Sequence, residues 1–256
     1  MKDQLGRGLY FETIPQRLVC LVPSLTELLV DLGLRSKLVG VTKFCVHPKD
    51  IKENAEIIGG TKNVKFDKIK ALQPDFILAN KEENTFEDID LLSNDLKVYV
   101  SDINNLKDLK GLITDISFLF GVAEKGLQLI EDIESQFLDF QNFIKNKPKL
   151  KVAYFIWRNP WMVVGSSTFI NYMLELNNFE NVYAHLQRYP EVDIKALKRV
   201  DYVLLSSEPF LFKEAHKAEL SVKDYKIEIV DGEYFSWYGS RLVKAFSYFK
   251  LLRDKL

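Results

Sequence analysis

Residues 126–145 read GLQLIEDIESQFLDFQNFIK. Leu127, Ile130, Ile133, Phe137, Phe140 and Ile144 recur there at steps of three and four, which places them on one face of a helix several turns long. Pro148 stands just past its end, where a helix cannot easily continue. This stripe constrains the fold because of what lies on either side of it.

Before it, short buried-strand patterns alternate with short helical ones. RLVCLV (17–22) reads as a strand closed by Pro23. SLTELLVDLGL then reads as a helix, with Ser24 and Glu27 at the spacing of a capping box. Leu25, Leu28, Leu29 and Leu32 share its inner face, and Gly33 suits the residue after the helix. KLVGVT (37–42), DFILAN (75–80) and KVYVS (97–101) read as further strands, DKIKALQ (67–73) and residues 86–95 as helices. Strand–helix–strand order is the unit of a parallel sheet. After the stripe the alternation restarts. KVAYFIW (151–157), WMVVG (161–165), DYVLLSS (201–207) and KIEIVDG (226–232) are strand-like; STFINYMLEL (167–176), IKALK (194–198) and the last fifteen or so residues are helical.

The expected fold class is therefore α/β, with mainly parallel sheets in two lobes. The N-terminal lobe takes residues 1–121, a linking helix 122–147 and the C-terminal lobe 148–256. A Gly/Ser linker would let the lobes tumble; a helix would hold them at a fixed spacing with a ligand cleft between.

Thirty-five basic residues face thirty-six acidic ones, a net charge of −1, so no global field draws the chain to nucleic acid or an anionic membrane. No apolar run is long enough for a transmembrane helix. The opening MKDQLGRGLYFETIPQR has no secretory apolar core, which read literally places the chain in the cytoplasm. Two cysteines, Cys20 and Cys45, do not make a disulfide framework.

In open parallel sheets, ligands bind beyond the carboxyl ends of the strands. The segments there are PSLTE (23–27), KFCVHP (43–48), NKEEN (80–84), RNPW (158–161), SSEPF (206–210) and DGEYFSWYGSR (231–241). They mix aromatics, charges and small residues, a composition suited to binding. The last fits neither a strand nor a helical stripe and reads as a loop. Its rings either line the cleft and stack on a flat ligand or cap the second core. The weight falls on the cleft for Trp237 and Tyr238, which Ser and Gly flank, and evenly for Tyr234 and Phe235. Arg158 and Trp161 have a similar claim.

Cys45 and His47 are weak candidates for a metal pair or for a thiol beside a base; a buried Cys with a hydrogen-bonded His is the plainer alternative. NKEEN is either a helix start or a polar clamp. G-x-G-x-x-G after the first strand, G-x-x-x-x-G-K-[ST] and G-x-S-x-G are all missing. Ser24 resembles a nucleophile only by position. No catalysis is expected.

LVPSLTELLVDLGLRSKLVGVTKFCVHP, IGGTKNVKFDKIKALQPDFILANKEEN and WRNPWMVVGSSTFINYMLELNNFENV together resemble the periplasmic-binding-protein family with a helical backbone. These are substrate-binding components of ABC importers for cobalamin, haem and ferric siderophores. The likeness runs from about residue 17 to the end and leans toward the cobalamin receptors. It implies two Rossmann-like lobes, no intrinsic cofactor, a corrinoid or iron-chelate ligand, an ABC permease as partner, and a periplasmic or cell-surface location. The ligand residues it implies are Ser24, Phe44, Lys81, Glu82, Trp157, Arg158, Trp161, Phe235, Trp237, Tyr238 and Arg241. Where cobalamin receptors carry tryptophans, this chain has Gly60-Thr61 and Asn80-Lys81. That turns the expectation toward a smaller or more polar chelate faced by Lys81, Glu82, Glu83 and Arg158. One acid per lobe is implied to dock on the permease: Asp67 in the first, Glu191 or Asp193 in the second, the latter two displaced from the family's position. The alternative is a cytoplasmic metallocofactor-handling protein or enzyme that reuses the cleft, with Cys45, His47 and Glu82 as its reactive groups; a third reading has the rings meet another protein.

Overall fold

In the computed structural model, strand β1 (Leu18–Cys20) is fully buried and begins the first of two sheets. The structure describes residues 1–197, 199–220 and 225–256. It divides into two units, Met1–Ile133 with Tyr238–Arg241, and Glu134–Trp237 with Leu242–Leu256. The boundary falls inside the long helix rather than at its ends.

In the first unit, β1 leads to α1 (Pro23–Asp31), β2 (Leu38–Val41), α2 (Ile51–Asn54) and β3 (Glu56–Ile57). A small antiparallel pair follows, β4 (Gly59–Gly60) with β5 (Asn63–Val64). Then come α3 (Phe66–Ala71), β6 (Phe76–Asn80), α4 (Phe86–Ser93), β7 (Val98–Ser101), α5 (Leu106–Leu119) and α6 (Ala123–Ile144). The sheet order is β3-β2-β1-β6-β7, every pair parallel. Strands β1, β6 and β7 are buried throughout, as strands of a parallel sheet covered on both faces are, whereas the edge strand β3 is exposed.

The second unit contains β8 (Leu150–Trp157), β9 (Met162–Val163), α7 (Phe169–Leu176), β10 (Phe179–Asn181), β11 (Tyr202–Ser206), α8 (Glu214–Leu220), β12 (Lys226–Val230), α9 (Gly232–Ser236) and α10 (Leu242–Lys255). Its order is β10-β8-β11-β12, all parallel, with β9 antiparallel on β8. The α/β expectation holds in both units.

Several local expectations are corrected. Ser24 and Glu27 form no capping box. Pro23 is the first helical residue, Val22 is the extended cap residue, and no side chain caps it. Proline at that position has no N–H to satisfy and a φ already suited to the helix. Gly33 does end the turn after α1 with φ +82°, a conformation that costs a side-chain-bearing residue. Residues 231–241 are not all loop: Asp231 accepts Glu233 N–H at 3.1 Å and starts α9. Residues 194–196 form one 3-10 turn, and Lys198 of the expected helix lies outside the described residues. The stripe on α6 is narrower than its periodicity, because Leu127 is 61% exposed.

The open edge of β7 is covered by side chains from the N-terminus. Asp3, with its carboxylate buried, accepts Val100 N–H at 3.2 Å, Leu5 N–H at 3.0 Å and Arg7 N–H at 2.8 Å. Gln4 accepts Asp102 N–H at 2.9 Å, and Arg7 donates to Val98 C=O at 2.9 Å. These bonds satisfy an edge that would otherwise be free to pair with another chain. Asp3→Ala leaves the edge donor of Val100 buried without its acceptor and is expected to lower stability by about 2–3 kcal/mol. Urea unfolding against an exposed-site control, Lys2→Ala, measures it; equal midpoints would reject the clasp.

Candidate functional site

In the first sheet the chain runs outward through β1, β2 and β3, then returns to place β6 and β7 on the other side of β1. That reversal is where ligands bind in such sheets, beyond the carboxyl ends. β6 ends in Asn80, almost fully buried, whose amide donates to Ser101 C=O at 3.1 Å and Ser101 Oγ at 3.0 Å. Its Oδ1 accepts Glu82 N–H at 2.8 Å and Glu83 N–H at 3.1 Å. Asn84 Oδ1 accepts Asn80 N–H at 2.9 Å, while its amide donates to Thr61 C=O at 2.9 Å. The two asparagines thus clamp a turn that presents Lys81, Glu82 and Glu83. Lys81 pairs with Asp102 at 2.6 Å. Burial raises the Glu83 carboxyl pKa, the charge of Glu82 adds to this, and Lys62 works against it.

Phe44 is half exposed. A Cβ at Gly60 would lie 3.2 Å from its ring, and the Lys43 ammonium sits 4.9 Å from its centroid. Ser24 is buried. Arg241 donates from Nε and Nη2 to the two oxygens of Glu27 at 2.9 and 2.8 Å. Burial raises the Glu27 pKa; Arg241 and, more weakly, His47 oppose the rise.

The second sheet reverses between β8 and β11. Trp157 ends β8, 39% exposed, with Phe210 edge-on at 5.7 Å. Trp161 is half-buried, stacked on Phe212 at 5.9 Å and edge-on to Phe155 at 5.5 Å. Arg158 pairs with Glu219 at 2.7 Å. Phe235 is fully buried against Tyr154 at 5.1 Å and Phe249 at 4.8 Å, so it is a core ring rather than a stacking surface. Trp237 is 8% exposed and donates from Nε1 to Glu208 at 3.0 Å; Ser236 bonds the other oxygen of that carboxylate. Gly232 is required beside it, since a Cβ would fall 2.2 Å from Ser206 Oγ. Tyr238 is 4% exposed and belongs to the first unit.

Asp67 stands exposed on α3 and Glu191 is exposed beside β9. Asp193 is exposed, but its carboxylate accepts Lys195 N–H at 2.9 Å. Among the described residues, no group of three or more His, Cys, Asp or Glu is placed to hold a metal ion, and no helix is long and apolar enough to cross a membrane.

Residues 18–219 match the family model described as Periplasmic binding protein. The chain belongs to the periplasmic binding protein family. An uncharacterized ABC transporter substrate-binding lipoprotein of Bacillus subtilis (strain 168) is 26% identical over 258 aligned residues, covering 95% of this chain and 81% of its own length. A vitamin B12-binding protein of Vibrio parahaemolyticus is 27% identical over 198 residues, covering 75% and 70%. Among solved structures, a periplasmic heme binding protein from Pseudomonas aeruginosa superposes with TM-score 0.81 at 22% identity, covering 93% of this chain and 92% of that one. The periplasmic vitamin B12 binding protein of Vibrio cholerae gives 0.80 at 21% identity, covering 95% and 100%. At these identities the superpositions speak to the fold.

Within this periplasmic binding protein, Cys45 is no exposed nucleophile. Its sulfur is fully buried, 3.2 Å from Thr26 Oγ1 and 3.3 Å from Thr42 Oγ1. Burial raises the Cys45 thiol, and pushes Cys20 up to about 12. A thiol held protonated is unreactive. Iodoacetamide at pH about 8 should label neither cysteine of the folded protein and both after urea, read by mass; labelling of native Cys45 at a free-thiol rate would overturn this. Sequence reading did not pair Glu27 with Arg241 or Glu208 with Trp237, because those partners lie far apart in the chain.

Proposed function

We propose that this protein is the substrate-binding component of an ABC-type importer and that it carries a metal chelate: a corrinoid, haem or a ferric siderophore. The observation that carries the reading is the family match over residues 18–219, together with relatives named for ABC transport and vitamin B12. The carboxyl-end residues support it. Phe44 and Trp157 are rings open enough to meet a flat ligand. Lys81, Glu82 and Arg158 supply polar contacts, each on a loop fixed by buried bonds or an ion pair. Trp237 holds Glu208, Arg241 holds Glu27, Ser24 and Tyr238 are buried, and direct ligand contact is the further role of all four. In this reading the protein works at the periplasmic or outer surface and delivers to a permease, with the exposed carboxylates of Asp67 and Glu191 as docking points.

Cyanocobalamin, haemin and ferrichrome, each mixed with the protein and then desalted, test the reading. One chromophore retained at one equivalent is the expected result. No retention with any of the three would remove the chelate-carrier function.

A further inference from the structure

His216 lies outside every site residue considered so far, yet its ring is held in one place and, when neutral, in one tautomer. It is the third residue of α8. Lys213, just before the helix, donates its backbone N–H to His216 Nδ1 at 2.8 Å, and His216 N–H returns to Lys213 C=O at 2.9 Å. The imidazole thus takes the part that the Glu or Gln side chain plays in a capping box, accepting the backbone N–H of the residue before the helix, while the return bond goes from His216 backbone N–H to the Lys213 backbone carbonyl. The ring centroid sits 5.3 Å from Phe210 and 5.8 Å from Phe212, edge-on to the latter. Because Nδ1 spends its lone pair on Lys213, the neutral ring carries its proton on Nε2. That N–H has no hydrogen-bond partner among the described residues, and the residue is half-buried. The charged side chains of α8 are paired, Glu214 with Lys217 at 2.9 Å and Glu219 with Arg158 at 2.7 Å.

Phe210 joins this ring to Trp157, the exposed aromatic at the end of β8. We infer that His216 is a specificity-determining donor of the ligand site, giving its Nε2–H to a carbonyl or carboxylate oxygen on the rim of a flat ligand resting on Trp157 and Phe210. The same tautomer means that His216 does not coordinate the chelated metal, since Nδ1 is taken by Lys213 and Nε2 has a proton and no lone pair. This assignment rests on the chelate-binding reading above.

Two substitutions separate recognition from helix capping. Glu and Gln both accept the Lys213 N–H as capping-box residues, but only Gln keeps a donor. His216→Gln is expected to bind whichever of cyanocobalamin, haemin or ferrichrome the wild type retains within about twofold of wild type, and His216→Glu about tenfold more weakly, with equal urea midpoints. Equal affinity for the two variants would assign His216 to capping alone and overturn the inference. Long-range proton–nitrogen NMR of the ligand-free protein is independent of any chelate. It should show the His216 proton on Nε2; a proton on Nδ1 also overturns the inference. Failure of the wild type to retain any of the three chromophores would count against the importer reading, while the ligand-free spectrum still decides the state of His216.

Discussion

Arg241→Ala is expected to lower the unfolding free energy by about 3 kcal/mol at neutral pH. The side chains of Arg241 and Glu27 are 11% and 17% exposed and meet through two parallel hydrogen bonds. Removing the guanidinium leaves a carboxylate that is mostly out of water with its main counter-charge gone. Even in the intact pair, burial outweighs attraction, since the Glu27 pKa lies above its ordinary 4.5. The folded protein therefore takes up this proton more readily than the unfolded chain. The stability that follows from that uptake is fully present below the unfolded pKa and is lost as pH rises through the raised folded value. Without Arg241 its charge and its hydrogen bonds, which oppose the effect of burial, vanish, and the folded value rises further. The deficit of Arg241→Ala should accordingly shrink as pH falls from about 7 to about 5. Urea unfolding at both pH values, with the double variant Glu27→Gln/Arg241→Ala beside it, tests the claim. The double variant should recover a large part of the loss, because no bare carboxylate remains. A deficit that is constant with pH, or additive in the double variant, would show that the pair is not coupled in this way.

That pair also marks how far the sequence could be read. Both residues were visible from the start, Glu27 as half of a capping box and Arg241 as a ligand residue. Spacing along the chain cannot reveal that residue 241 turns back onto the helix containing residue 27, and only that contact assigns both roles. The strands were legible because runs such as FILAN and VYVS are apolar on both faces, as a parallel sheet demands. Their order was not legible, since β6 lies beside β1 only through the crossover of the chain. The rings at 234–238 were noticed as a group and then parted by structure. Phe235 turns into the second core, while Trp237 is held at its rim by Glu208. The short helix α9 causes the separation, and its only local sign was Asp231 ahead of Gly232. NKEEN read as either a helix start or a polar clamp. It is a turn just ahead of α4, held by its outer asparagines.

Phe140→Ala is expected to cost about 4 kcal/mol, whereas Leu127→Ala, on the same helix, should stay within about 0.5 kcal/mol of wild type. The two residues belong to one periodic stripe, and the structure treats them oppositely. Phe140 is fully buried, with ring centroids of Phe246 at 5.6 Å, Phe249 at 6.0 Å and Phe143 at 6.1 Å. Truncation there removes a whole ring from a cluster whose neighbours, set on α6 and α10, have no small motion that fills the space, so transfer and cavity losses add. Leu127 is 61% exposed and leaves water on both sides of the change. Leu138, at 60% exposure, serves as a second control from the half of α6 that carries Phe140. Urea midpoints with unchanged slopes read the differences directly. A loss below about 1 kcal/mol for Phe140→Ala would mean that this face of α6 does not hold the second unit. A loss above that for Leu127→Ala would mean that the stripe is buried along its whole length, as its periodicity alone predicts.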